Sequence, residues 1–418
     1  MTTRTLGYVS SRTERRGVTA AYAAQGLSYA TVVTALPFFK NQYGIDDDVV
    51  ALITLTVVVG AACGSVLADR VAVRWGSRMS LILALSAQAI ALAGVLVAQP
   101  FPLFWVFFGV YGLGLGGADA SAAMQAVLVQ RLIGRSVMGS FFATATVAAA
   151  CGAVLMSGAS GSSLGASLAL GVAATVAAAV ALVGTRILDR TREARATTPA
   201  QRAARAPIPA LGLVLIGFVV FAAFAADSTL STWTTLYLQD ELALTGTVAV
   251  LGVAFMIAPL GYGIYQATTL ATRLASDVVV RRWGRAPLAG GAIAVGALGL
   301  ATMSAVPTVA AVFVGLALAG LGIGVLAPLA FSAAGDLEPS RSDEIVARVN
   351  LFNYPGSVIG AVAPGLVAAT VGYGPSFLVA ASLLAAALVA VPQLRALPRR
   401  DGSRAAAVEP ASERAPAD

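Results

Sequence analysis

The chain has 418 residues, of which 58% are hydrophobic and only 11% charged, and its mean hydropathy is +0.83. Soluble domains carry about 25% charged residues, so this chain lacks the polar groups to cover a water-facing globule, and lipid must solvate most of it. The net charge of +7 does not indicate nucleic acid as a partner: the 27 basic residues, all arginine except Lys40, stand in short clusters between apolar stretches, the pattern of loops on the inner side of a membrane.

A span needs about 20 apolar residues. In chain order, spans are expected at 17–39, 49–69, 79–97, 103–127, 138–159, 164–185, 211–236, 247–271, 286–304, 308–333, 345–369 and 375–394. No cleavable leader is expected, because the first 16 residues are polar and carry Arg4, Arg12, Arg15 and Arg16. The gaps after even-numbered spans hold Arg70, Arg74 and Arg78; Arg131 and Arg135; the Arg186–Arg205 cluster; Arg273, Arg281, Arg282 and Arg285; and Arg341 and Arg348. The odd-numbered gaps hold Lys40 alone. The positive-inside bias then places both termini and every arginine cluster on the cytoplasmic side of a cell membrane. Residues 189–209, rich in Arg, Ala and Pro, read as a cytoplasmic linker between six-helix bundles at 1–188 and 210–396. Residues 397–418 read as a disordered cytoplasmic tail.

The two bundles repeat each other. The segment Asp69-Arg70…Arg74-Trp75-Gly76 returns as Asp277…Arg282-Trp283-Gly284, shifted by 208 residues. Gly112-Leu-Gly-Leu-Gly116 returns as Gly320-Leu-Gly-Ile-Gly324, and Gly152-Ala-Val154 as Gly360-Ala-Val362, at the same offset. The offset covers six spans, so both halves share one orientation. Parallel halves related by an axis along the membrane normal are a transporter design, with the binding site between halves exposed alternately to each side. A receptor or scaffold without transport has no need of two equivalent halves, though that class stays open on sequence alone.

Gly64-Ser-Val-Leu-Ala-Asp69-Arg70…Arg74-Trp-Gly-Ser-Arg78, with its echo Arg273…Asp277…Arg281-Arg282-Trp-Gly-Arg285, resembles the signature between spans 2 and 3 of the major facilitator superfamily. The resemblance covers spans 1–12. Gly112-Leu-Gly-Leu-Gly-Gly-Ala-Asp119, an acid followed by Trp233 and Tyr237, and Tyr354-Pro-Gly356…Gly360…Pro364-Gly365 are similar to a bacterial branch of sugar-permease and drug-efflux-like proteins. It implies an all-α, twelve-span fold of two parallel six-helix pseudo-repeats. It also implies that Asp69, Arg70, Arg74, Arg78, Asp277, Arg281 and Arg282 form a gate that latches the cytoplasmic side shut. The chain departs from that branch at Phe108, Gln125 and Phe142, so no substrate is carried over.

Charges at lipid depth cost roughly 2.5–3.5 kcal/mol on insertion scales. Of the 20 acids, Asp119 and Asp227 fall well inside spans, and no basic residue is expected there. Asp227, among Ser228, Thr229, Ser231, Thr232 and Trp233, is the candidate for proton coupling or for a substrate contact; a hydroxyl-satisfied acid at a helix bend is the alternative. Asp119 follows a glycine run that permits close helix crossing, and it suits either function or a bond to a neighbouring helix. The resemblance places spans 1, 4, 5, 7, 10 and 11 at the cavity, which adds Trp233, Gln25, Tyr29, Asn350, Asn353 and Tyr354 as contacts. The chain has no His and neither a phosphate-cradling loop nor a metal-ligand cluster, so no enzyme, metal or cofactor is expected. The expectation is a monomeric secondary transporter of a small organic solute, coupled to protons or another ion, with export favoured over uptake of a neutral sugar-like solute.

Overall fold

In the computed structural model the described residues are 2–45, 47–97, 100–159, 163–188, 207–244, 246–250 and 253–395. The expected tail, and the expected linker up to residue 206, lie outside them. The first half consists of α1 (Thr2–Tyr43), α2 (Asp47–Trp75), α3 (Ser77–Val97), α4 (Phe101–Ile133), α5 (Met138–Ala159) and α6 (Ser163–Ile187). The second holds α7 (Ala210–Leu236), α8 (Ile257–Trp283), α9 (Arg285–Ala305), α10 (Val309–Ile323), α11 (Leu326–Leu337), α12 (Ser342–Asn350), α13 (Asn353–Val371) and α14 (Tyr373–Ala386), which continues as a 3-10 helix over Ala387–Leu394. The span expected at 308–333 is α10 plus α11, broken at Gly324; that at 345–369 is α12 plus α13. The chain thus makes twelve spans, and ten of them qualify by length and composition alone among the described residues.

The span expected at 247–271 is corrected. A π-turn at Tyr237–Glu241 follows α7, and Thr247–Val250 pairs antiparallel with Val253–Met256. Val248, Val250 and Val253 are β-branched, which suits a strand better than a helix. Helix α8 therefore starts only at Ile257 and runs to Trp283, twelve residues beyond the expected end.

The repeat is physical as well as textual. A Cβ on Gly112 would lie 2.6 Å from the Val57 carbonyl of α2, and one on Gly320 would strike the carbonyl of Tyr265, 208 residues after Val57. Gly114 meets Ala84 and Gly322 meets Ala292; Gly116 meets Ala61 and Gly324 meets Thr269, each pair at that offset. The glycines let helix backbones touch where lipid supplies no hydrophobic drive to associate. Gly76 and Gly284 end α2 and α8 at φ of 90° and 86°, a left-handed conformation that glycine adopts without penalty.

One buried apolar cluster runs from the arginine-rich end of the first half through the second half. A separate cluster fills the opposite end of the first half, around Phe39, Phe104 and Phe108, with Tyr354 reaching it from α13. The two halves therefore share a continuous core at the arginine-rich end.

Candidate functional site

Helix α1 carries Tyr22, Gln25 and Tyr29 at i, i+3 and i+7, one helical face. Gln25 Nε2 donates to Asp119 Oδ1 at 2.6 Å and to the Leu115 carbonyl at 3.2 Å. Gln88 of α3 donates to Gln25 Oε1 at 2.7 Å and to the Gly114 carbonyl at 3.1 Å. Two amides thus relay from α3 through α1 to the carboxylate of α4. Gln88 is fully buried and was not among the expected site residues; an amide inside an otherwise apolar span is the signal that could have found it. Tyr29 is 53% exposed and lies within electrostatic reach of both Asp119 and Asp227.

In the second half, Tyr265 Oη of α8 donates to Asp227 Oδ1 at 2.5 Å. The hydroxyls around Asp227 turn away from it: Ser228 donates to the Ser357 carbonyl and Thr229 to those of Ala225 and Gly360. Trp233 Nε1 donates to the Ala361 carbonyl at 3.0 Å, its ring packs on Gly365 and lies 5.9 Å from that of Tyr373. The structure therefore places Trp233 in the α7–α13 packing rather than beside Asp227. Tyr262 and Gln266 bond each other at 2.9 Å near the same acid.

Arg273, expected in the gap after the eighth span, lies within helix α8. The hairpin delays α8, so Arg273 sits ten residues before the helix end, about 15 Å at 1.5 Å per residue. Its Nε donates to the Gly324 carbonyl at 3.0 Å, Nη1 donates to Thr146 Oγ1 of α5, and the guanidinium lies 5.6 Å from the Phe142 ring centroid. Asp227, Tyr262 and Tyr265 are within its electrostatic reach, and no direct Arg273–Asp227 ion pair is present among the described residues.

Arg273 belongs to a seam between halves at the arginine-rich end. One turn further along α8, Asp277 Oδ1 accepts from Ser136 Oγ at 2.9 Å and from Gly139 N at 3.0 Å, while Oδ2 accepts from Ser140 N at 3.0 Å. The carboxylate caps the first turn of α5, where unpaired N–H groups and the helix dipole favour an anion. Gly139 makes this approach possible, since a Cβ there would lie 2.5 Å from the Arg273 carbonyl. Asp69, the matching acid of α2, differs: its Oδ1 is buried without a hydrogen-bond partner. Beside it Glu344 is gripped by Arg341 at 2.9 and 2.8 Å and by Arg348. Arg70, Arg74, Arg281 and Arg282 are exposed and Arg78 is half-buried; Arg74 stacks over Trp75 at 5.3 Å.

Further bonds close the same end. Gln130 donates to Ser332 at 2.6 Å, Arg285 donates to the same hydroxyl at 2.8 Å, and Arg285 pairs with Asp336 at 2.7 Å. Arg131 donates to the Gly335 carbonyl. Asn350 donates to Ser65 Oγ at 3.1 Å and to Tyr354 Oη at 3.4 Å, tying α12 to α2. Asn353 is buried at the start of α13.

The chain is 28% identical over 386 residues to the uncharacterized transporter y4wD of Sinorhizobium fredii, covering 90% of this chain and 96% of that one. It is 24% identical to an uncharacterized MFS-type transporter of Yersinia pestis, over 83% and 87% of the two chains, and 23% identical to the membrane protein MosC of Rhizobium meliloti, over 84% and 83%. Among solved structures, the transporter FucP in its outward conformation superposes with a TM-score of 0.76 at 12% identity, over 91% of this chain and 98% of that one. The proton:xylose symporter XylE follows at 0.69 and 13%, over 92% and 95%; these likenesses establish the fold. The Major Facilitator Superfamily model matches residues 18–342 and 260–416, and the chain is a transporter of that superfamily.

Proposed function

We propose that this protein is a monomeric, proton-coupled secondary transporter that moves a small organic solute across the cytoplasmic membrane, in the export direction. The observation that carries the reading is the pair of intramembrane carboxylates, one in each half, with Tyr29 within electrostatic reach of both. Each is held by a neutral donor, Gln25 for Asp119 and Tyr265 for Asp227, so neither is fixed in a direct ion pair. A carboxylate at lipid depth is costly and marks a proton or substrate path. Asp227 carries the proton, and Asp119 with the Gln25–Gln88 relay lines the substrate path. Tyr22, Phe141, Phe142 and Phe331 are in ring contact in the core that the halves share, with Phe142 partly exposed, an aromatic setting that favours an apolar or aromatic solute once the halves part. The arginine-rich end faces the cytoplasm. The state described here is then closed inside, with the Asp277 cap and the Gln130–Ser332 bond as its latches.

Uptake of a neutral, sugar-like solute is the second reading. The amides of Gln25, Gln88, Asn350 and Asn353 favour it, and XylE and the fucose:proton symporter FucP, which share the fold, move sugars with protons.

Thermal unfolding of the purified protein against a panel of sugars, amphipathic drugs and antibiotics at two pH values separates the readings. A ligand that binds only the folded state at 100 times its Kd stabilises by about 2.7 kcal/mol. Stabilisation by a drug-like compound that disappears in Asp227→Asn supports proton-coupled export. Stabilisation by neutral sugars alone turns the reading to uptake, and no proton movement with any stabilising ligand in vesicles refutes the coupling.

A further inference from the structure

A cation drawn in between packed helices needs a reason, because its burial is costly unless it is paired or at work. Arg273 is such a cation. It uses Nε on the Gly324 carbonyl, at the break between α10 and α11, and Nη1 on Thr146 in the opposite half. Its aromatic neighbour Phe142 also belongs to the opposite half. Its natural counter-ion, Asp227, is within electrostatic reach but outside ion-pair distance, and is held by Tyr265 instead.

These groups are in line. Tyr265, Thr269, Arg273 and Asp277 stand at successive i+4 positions of α8 and form one stripe. The first touches Asp227, the second faces the Gly320 carbonyl at 3.5 Å, the third holds Thr146, and the fourth caps α5. The stripe therefore joins the intramembrane acid to the seam between halves.

We infer that Arg273 is the positioning residue that couples the charge on Asp227 to closure of the α5–α8 seam, exchanging Thr146 for Asp227 when that acid is ionised. With Asp227 neutral, the guanidinium has no anion to move to and stays on Thr146, which holds the seam shut. Loss of the proton from Asp227 creates an anion that draws Arg273 off Thr146 and loosens the seam; the proton passes to water in the cleft. The inference rests on the proposal that Asp227 exchanges protons.

The groups facing this pair are few. Tyr262 and Tyr265 on α8 and Tyr29 on α1 face Asp227, and phenols ordinarily titrate near pH 10. Thr146 and Phe142 of α5 and the Gly324 carbonyl face Arg273, with Asp277 one turn on along its own helix. Asp119 is the other acid that Tyr29 senses, and the Asp227→Asn variant distinguishes it.

The test needs no substrate. Spin labels replace the exposed Arg135 and Val278, which flank the seam, in a chain whose two free cysteines, Cys63 and Cys151, are changed to alanine. Distances are measured in liposomes at pH 5.5 and 8.5. The expected result is a rise in the open-to-closed ratio at pH 8.5 of about fivefold, the size of one hydrogen bond. Asp227→Asn stays closed at both pH values. Arg273→Gln gives a single, pH-independent distribution, and Arg273→Lys, which keeps the charge, restores part of the response. Thr146→Val raises the open fraction at pH 5.5 and guards against a misfolded Arg273→Gln.

If Asp227→Asn abolishes the response while Arg273→Gln and Thr146→Val both behave as the parent, proton exchange at Asp227 stands and the role of Arg273 is overturned. If Asp227→Asn responds as the parent, both fall.

Discussion

Asp277→Ala tests the seam most directly. The carboxylate takes three hydrogen bonds from the other half, two of them from first-turn N–H groups of α5, and is 8% exposed. A hydrogen bond to a charged group contributes about 1.5–3 kcal/mol, and loss of a helix cap costs about 1 kcal/mol. Because the bonds share one acceptor group they do not add, and a total near 3 kcal/mol is the reasoned figure. That corresponds to roughly a 150-fold shift from closed to open at 1.36 kcal/mol per factor of ten. Asp277→Asn keeps one oxygen for Gly139 and Ser136 but offers an N–H₂ to Ser140 N, so about 1 kcal/mol and fivefold are expected.

The reporter is Ser276→Cys in the background lacking Cys63 and Cys151. Ser276 is 2% exposed and lies against Gly139 in the closed seam. A water-soluble maleimide reaches that thiol only when the seam opens, so its labelling rate follows the open fraction while opening is fast relative to reaction. Asp277→Ala should accelerate labelling by about two orders of magnitude, with Asp277→Asn between it and the parent. A rate within twofold of the parent in Asp277→Ala would show that the cap does not hold the halves together.

Other substitutions separate similar-looking positions. Gly116→Ala drives a methyl into the Ala61 carbonyl, whereas a Cβ on Gly263 meets nothing within 4 Å; thermal unfolding should drop by several degrees for the first and stay level for the second. Asp69→Asn removes a charge whose Oδ1 has no partner and which faces Glu344, so the unfolding temperature should hold or rise, opposite to Asp277→Asn. Gln130→Leu breaks the bond to Ser332 but leaves that hydroxyl on Arg285. It should cost about 1 kcal/mol in denaturant unfolding, whereas Arg285→Met also strands Asp336 and should cost more.

The architecture was legible because lipid imposes one requirement, about 20 apolar residues per span, and because rare residues kept one register. The two glycine triplets located matching helix crossings that the backbone contacts share. Asp119 and Asp227 were legible by their cost alone. Arg273 was not, because its place within α8 depends on where that helix begins and ends, and hydropathy reads Thr247–Met256 as apolar whether it is strand or helix. Gln88 was passed over because an amide carries no charge to mark it. Trp233 looked like a cavity residue beside Asp227, but position along a helix does not say which way an indole turns, and it turns to α13.

The two copies of the loop signature carry the sharpest lesson. Asp69 and Asp277 occupy equivalent places, so sequence alone assigns them one task. What differs is the opposing helix. Asp277 meets Ser136 and the open first turn of α5; 208 residues after Ser136 stands Glu344, so Asp69 meets a carboxylate already bound to Arg341 and Arg348. An acid against a helix N-terminus is held by groups that cannot leave. An acid beside a carboxylate and two arginines is held by side chains that can rearrange, at a pairing energy of about 1 kcal/mol or less for partly exposed partners. The duplication thus preserved the glycine contacts that pack each half. It diverged where the halves meet, leaving Asp277 bonded to the first turn of α5 and Asp69 beside a Glu344 already held by two arginines.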